Sequence, residues 1–152
     1  MAQPAIHRKR ELAAQVLYGL SFGQASDIEA LKSAFRRSPR HSAETNEPQG
    51  FAWELACGVW QNEKSLDSEI GQFARNWRPE QIGRLELVLL RLALYEMRHV
   101  GTPPKVVISE YLDLAGEFGA LSAKSFINGI LNAAARANPE TAALIGAHKE
   151  KE

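Results

Sequence analysis

The sequence has 152 residues, 45% hydrophobic and 24% charged, with a single cysteine; this excludes a disordered or fibrous chain, and the lone cysteine excludes an internal disulfide and a thiolate metal cage. Its 18 basic and 18 acidic residues cancel, yet residues 1–40 hold seven Lys and Arg against three Asp and Glu, a net of +4 that leaves −4 on the other 112. A basic front end of this kind is the footprint of an anionic partner.

Apolar residues recur at three and four positions almost throughout, without sustained strand alternation, so the expected fold is all-α with about seven helices. The first covers roughly residues 7–22, with Leu12, Ala13, Val16, Leu17 and Leu20 on one side. Ser26 and Glu29 have capping-box spacing and open a second helix through Ile28, Leu31 and Phe35. Residues 38–49, with two prolines among polar residues, form the one long loop. Phe51, Leu55, Val59 and Trp60 mark a third helix around Cys57, an inert core thiol. Leu66, Ile70, Phe73 and Trp77 mark a fourth, which Pro79 ends.

The fifth helix, roughly 84–99, is apolar over nearly its whole circumference and is therefore expected at the centre of the fold. Glu86, Arg91 and Glu96 interrupt it and need partners, either within the chain, with Arg84 and Arg98 at hand, or at an interface. Pro103 and Pro104 open a sixth helix that Gly119 caps. Ile127, Ile130, Leu131 and Ala134 mark a seventh, and the last residues form a solvated tail.

Motifs for catalysis are missing from the sequence: there is no Gly-rich phosphate loop, no histidine pair at metal spacing and no CxxC, so neither an enzyme nor a cofactor is expected. Charges at the N-terminus have no apolar stretch behind them, and Leu85 to Met97 is too short and too charged to span a bilayer. A soluble, cytoplasmic protein without a membrane partner is the expectation. The cluster His7-Arg8-Lys9-Arg10 is more informative, because cations at a helix start oppose the macrodipole and an anion bound there relieves the cost. At 100° per residue Glu11, Gln15 and Tyr18 fall opposite Leu12, Val16, Leu17 and Leu20, which places Tyr18 on the polar face. A tyrosine beside Arg8, Arg10 and Gln15 suits a stacked base of single-stranded nucleic acid; the bland alternative packs it under a loop. Phe126, near Lys124 and Asn128, sits at the rim of the seventh helix's apolar arc, either in the core or against a ligand.

Three segments taken together carry a family resemblance. HRKRELAAQVLYGL resembles the opening arginine-rich helix of the bacterial transcription antitermination factor NusB family. RLELVLLRLALYEM resembles that family's central helix, and PPKVVISEYLDLAGEFGALSAKSFINGIL its P-x-K-V-hydrophobic-N-E and F-V-N-G-V-L segments. The resemblance implies two packed three-helix bundles in a single domain over 1–152: an N-terminal bundle over about 7–77, a C-terminal one over about 79–137 and a flexible tail over 138–152. It further implies binding of single-stranded boxA RNA of ribosomal-RNA leader transcripts, together with the ribosomal protein NusE, in an RNA polymerase antitermination complex. Carried onto this sequence, Arg8, Lys9, Arg10, Gln15 and Tyr18 contact RNA, with Lys124, Phe126 and Asn128 near the same surface, and Glu86 faces NusE. The departures are His7 and Lys9 in a usually denser arginine string, Ser122 for an acidic residue and Ser109 for an asparagine. Two other functions stand beside this one. The first is a protein–protein docking module or homodimer without direct RNA binding. The second is a NusB-like front of a ribosomal-RNA cytosine methyltransferase, which requires a Rossmann-type domain and a Gly-rich loop that these 152 residues are not expected to supply.

Overall fold

A computed structural model describes residues 4–23, 27–37, 50–74 and 81–137. The expectations for Ser26, Trp77, Pro79, the 38–49 loop and the 138–152 tail lie outside these residues. Seven α-helices are present among the described residues: α1 (Pro4–Leu20), α2 (Ile28–Arg37), α3 (Phe51–Gln61), α4 (Glu63–Phe73), α5 (Arg84–Tyr95), α6 (Pro104–Glu117) and α7 (Lys124–Ala137). A π-helical turn, Glu96–Val100, extends α5, and a short 3₁₀ segment, Leu121–Ala123, leads into α7. Among the described residues no helix is long and apolar enough to cross a membrane.

Helix α5 is the hub. It packs against α1, α3, α4, α6 and α7, and Val88, Leu89, Leu90, Leu92, Ala93 and Leu94 are all buried. Its near-continuous apolar circumference demands cover on most sides, and five neighbours supply it. On one side α1, α2 and α3 pack together; on the other, α6 and α7 pack against each other and α5, while α4 leans on α3, α5 and α7. The approach of α3 to α5 is close because Gly58 lacks a side chain: a Cβ there would lie 2.0 Å from Cζ of Tyr95.

Local signals account for both ends of α6. Pro104 occupies the first turn of α6, where its missing N–H has no helical acceptor to serve. Helix α6 ends in a Schellman motif: the Ala120 N–H donates to the Ala115 carbonyl at 2.8 Å and Gly119 N–H to that of Gly116 at 3.1 Å, with Gly119 at φ 81°. At the start of the second helix a side chain meets a free backbone N–H. Asp27 is its N-cap, accepting the Ala30 N–H at Oδ1 (2.9 Å).

Candidate nucleic-acid interface

Helix α1 carries a row of side chains at helical spacing, residues 8, 11, 15 and 18, on the side away from its core stripe. Leu12, Ala13, Val16 and Leu17 are buried, while Arg8, Lys9, Gln15 and Tyr18 are exposed. Tyr18 keeps 36% of its surface accessible, as the angular argument requires. The row is knit by its own contacts. Arg8 reaches Glu11 at 3.4 Å, and Gln15 donates to Glu11 at 3.3 Å. Glu11 itself is buried, contrary to a fully solvated polar face. The Arg8 side chain remains 65% exposed, so its charge is available despite the pair.

Arg10 departs from the expectation of a solvent-facing RNA contact. It is 6% exposed and points inward. Its Nε and Nη2 donate to the two carboxylate oxygens of Glu96 at 2.8 and 2.9 Å, Nη1 lies 3.5 Å from Glu110, and the guanidinium covers the Phe51 ring at 5.7 Å. Glu96 also accepts from the Tyr111 hydroxyl at 2.5 Å and from Thr102 at 2.9 Å. The physical reason is that Glu96 sits at 0% exposure on the hub helix and a charge there needs a bidentate, hydrogen-bonded partner. Burial, with Glu96 beside it, pushes the Tyr111 hydroxyl well above its usual range.

His7 extends this network toward the surface. Its ring nitrogens meet Glu110 at 2.6 Å and Glu117 at 2.8 Å on α6. Burial alone lowers its pKa, but the two carboxylates outweigh it and the net shift is upward. Of the four consecutive cationic positions, therefore, His7 and Arg10 anchor α1 to α6 and the π turn, while Arg8 and Lys9 face out.

The remaining candidates lie on α5 and α7. Lys124 lies across Gly116 of α6, where a Cβ would come within 3.0 Å of its Cε; Gly116 precedes Glu117, which holds His7. Phe126 is half-buried against the core. Asn128 is exposed and accepts from Asn132 at 2.8 and 2.9 Å through its carbonyl and side-chain oxygens. Glu86 is half-buried, its carboxylate folded back over Gly83 at the start of α5. The other hub charges pair within the chain, with partners different from those expected. Arg91 binds Asp67 (2.6 and 2.8 Å) and Glu63 (3.1 Å), and Arg98 binds Glu69 and the Ala134 carbonyl. Cys57 is partly buried, and that burial raises its thiol pKa against a lowering influence from Lys32.

Two residues at the end of the row escaped the sequence argument. Phe22, four positions beyond Tyr18, is 61% exposed and meets its ring edge-on, centroids 4.9 Å apart. Arg84 lies over the other aromatic, 4.7 Å from the Phe22 centroid. The i, i+4 spacing from Tyr18 to Phe22 was the available signal; nothing local announces Arg84.

Together these features define an all-helical scaffold whose leading helix is locked by buried ion pairs and displays cations and an aromatic to solvent. A family model for the NusB family matches residues 7–136, and the chain belongs to that family. Its relatives include the transcription antitermination protein NusB of Nitratidesulfovibrio vulgaris, 47% identical over 137 residues, covering 88% of this chain and 90% of the relative. The protein of that description from Oleidesulfovibrio alaskensis is 52% identical over 131 residues, covering 84% and 85%. Among solved structures the fold is similar to T. maritima NusB, with a TM-score of 0.73 at 24% identity over 93% of this chain and 98% of that one. It is also similar to a chain in a crystal structure of antitermination factors NusB and NusE in complex with dsRNA (TM-score 0.71, 24% identity, 88% and 98% covered).

Proposed function

We propose that this chain acts in transcription antitermination by binding boxA-type single-stranded RNA of ribosomal-RNA leader transcripts together with NusE, within an RNA polymerase antitermination complex. The observation that carries the proposal is the exposed row of Arg8, Gln15 and Tyr18 beside Lys9 on α1. It offers a flat ring for a base and cations for phosphates, on a helix that buried ion pairs hold in place. Lys124, Phe126 and Asn128 extend the RNA surface, and Glu86 faces NusE. Arg10 is assigned a positioning role instead of an RNA contact: its guanidinium is consumed by Glu96 and orients the helix that carries Arg8, Lys9 and Tyr18.

The test is fluorescence anisotropy with a boxA-type RNA and a scrambled RNA, each with and without NusE. The expected result is preference for the boxA-type RNA and a large cooperative gain from NusE. Equal affinity for both RNAs with no gain from NusE would overturn the proposal. Retention of NusE without any RNA binding would favour a pure docking module.

A further inference from the structure

Each ring nitrogen of His7 faces a carboxylate of α6, Nδ1 at 2.6 Å from Glu110 and Nε2 at 2.8 Å from Glu117. A neutral imidazole has one N–H and one lone pair, so it donates to one carboxylate and turns its lone pair on the other. Only the imidazolium donates to both. The charges around the ring make the same demand. Glu96 and Glu110 are buried. Arg10 gives its bidentate hydrogen bonds to Glu96 and reaches Glu110 only at 3.5 Å. The Tyr111 hydroxyl, also on Glu96, is neutral. On the outer side of α6, Glu117 and Asp113 are exposed, and Lys124 of α7 lies across Gly116 beside Glu117. On α1 itself, Arg8 pairs with Glu11 at 3.4 Å. With its proton, His7 joins Arg10 in facing Glu96, Glu110 and Glu117; without it, Arg10 faces all three alone.

His7 also stands at the edge of the RNA surface proposed above. Positions 7 and 18 of a helix differ by only about 20° in azimuth, so His7 shares the side of α1 that carries Glu11 and Tyr18, and Arg8 and Lys9 follow it directly. We propose that His7 is a proton-linked positioning residue for RNA binding, a role that rests on the RNA-binding proposal. Its imidazolium pins the start of α1 to α6, and loss of the proton weakens the hold of Arg8 and Lys9 on phosphates. Two effects act in the same direction. The α1–α6 contact loosens next to the two exposed cations, and carboxylate charge that His7 had balanced is left within about one Debye length of a bound phosphate. Arg10 keeps α1 on the fold through Glu96, so affinity changes while the chain stays folded. By reciprocity, a strand that binds the protonated form more tightly draws a proton onto His7.

The experiment measures binding of a boxA-type single-stranded RNA to the full chain from pH 6 to 8.5 at low salt, with circular dichroism at each pH as the folding control. Wild-type affinity should fall about twofold to threefold as pH rises, the scale of one unit charge at ~8 Å in a water-like dielectric. His7→Arg, a permanent cation, should hold the low-pH affinity across the range. His7→Gln should stay flat at the wild type's high-pH level. Calorimetric titrations near pH 7.5, in two buffers of different ionisation heat, should show fractional proton uptake on RNA binding by the wild type and none by His7→Gln. That readout needs no variant to establish linkage, and a merely structural histidine would not move it. RNA binding that is independent of pH and takes up no proton would overturn the inference and leave the RNA-binding proposal standing. A pH dependence that persists unchanged in His7→Gln would assign the proton to another group and likewise overturn it. Absence of RNA binding by the wild type at every pH would sink both proposals together.

Discussion

Arg10 and Glu96, 86 positions apart, form a bidentate ion pair in the interior, joining the leading helix to the π turn at the end of the hub helix. Tyr111 and Thr102 complete the carboxylate's hydrogen bonds, so the charge on Glu96 is fully engaged. Removing one member of such a pair strands the other. Arg10→Ala is therefore expected to destabilise the fold by about 3–5 kcal/mol, read as a shift of the urea midpoint at unchanged slope. RNA affinity measured on the folded fraction should fall far less than in an Arg8→Ala, Lys9→Ala double variant. An Arg10→Ala protein of wild-type stability would mean that the pair does not lock α1.

That pair also shows where the sequence stops being informative. The seven helices are readable because each has its own apolar periodicity, and the outward aim of Tyr18 follows from 100° per residue alone. The identity of Arg10's partner has no local signature. An arginine in a basic run looks solvated until Glu96, on a different helix, is folded against it. Glu11 was misplaced for a related reason: helical geometry puts it on the polar side, but burial depends on what covers that side. Arg91 needed a partner, as its position on a buried helix demanded, and Arg98 was expected to serve as one; yet both pair with α4, through Asp67, Glu63 and Glu69, and the register of α4 against α5 is a tertiary matter.

Tyr18 should behave as a binding residue and not a structural one. Tyr18→Ala is expected to cost about 1–3 kcal/mol in RNA affinity while changing stability by no more than about 0.5 kcal/mol. Tyr18→Phe should keep most of the affinity, because the ring face survives. Anisotropy titrations and thermal melts on the same preparations separate the two effects; a large drop in melting temperature for Tyr18→Ala would show that the ring is packed instead.

Arg8 and Lys9 are predicted to act through phosphates. Each alanine substitution should reduce the slope of log affinity against log salt by roughly 0.7 on single-stranded RNA, and affinity should fall for boxA-type and scrambled RNAs alike. A selective loss for one RNA, with the salt slope unchanged, would point to base contacts instead.

Gly58 tests the packing of α3 on the hub. A methyl group there would meet the Tyr95 ring at 2.0 Å, and that ring is itself stacked on His99 with centroids 4.9 Å apart. The ring has little room to retreat. Gly58→Ala is expected to cost about 1–3 kcal/mol, and pairing it with Tyr95→Leu should recover part of the loss, as a double-mutant cycle of chemical denaturations would reveal.

His7 makes stability depend on pH. Its folded pKa lies above the ordinary 6.5, because Glu110 and Glu117 outweigh burial. The folded state therefore holds the proton more tightly than the unfolded chain does. The stabilisation is complete below about pH 6.5 and is lost as pH rises through His7's own raised pKa. Arg10, 3.5 Å from Glu110, is always charged and remains to hold that carboxylate after His7 deprotonates, which keeps the loss modest, on the order of 1 kcal/mol. Melting temperatures recorded from pH 6 to 9 should decline by a few degrees in the wild type and stay flatter in His7→Gln, which keeps hydrogen-bonding capacity without the titratable charge. Parallel profiles for the two proteins would place the pH dependence elsewhere and leave His7 a neutral bridge between α1 and α6.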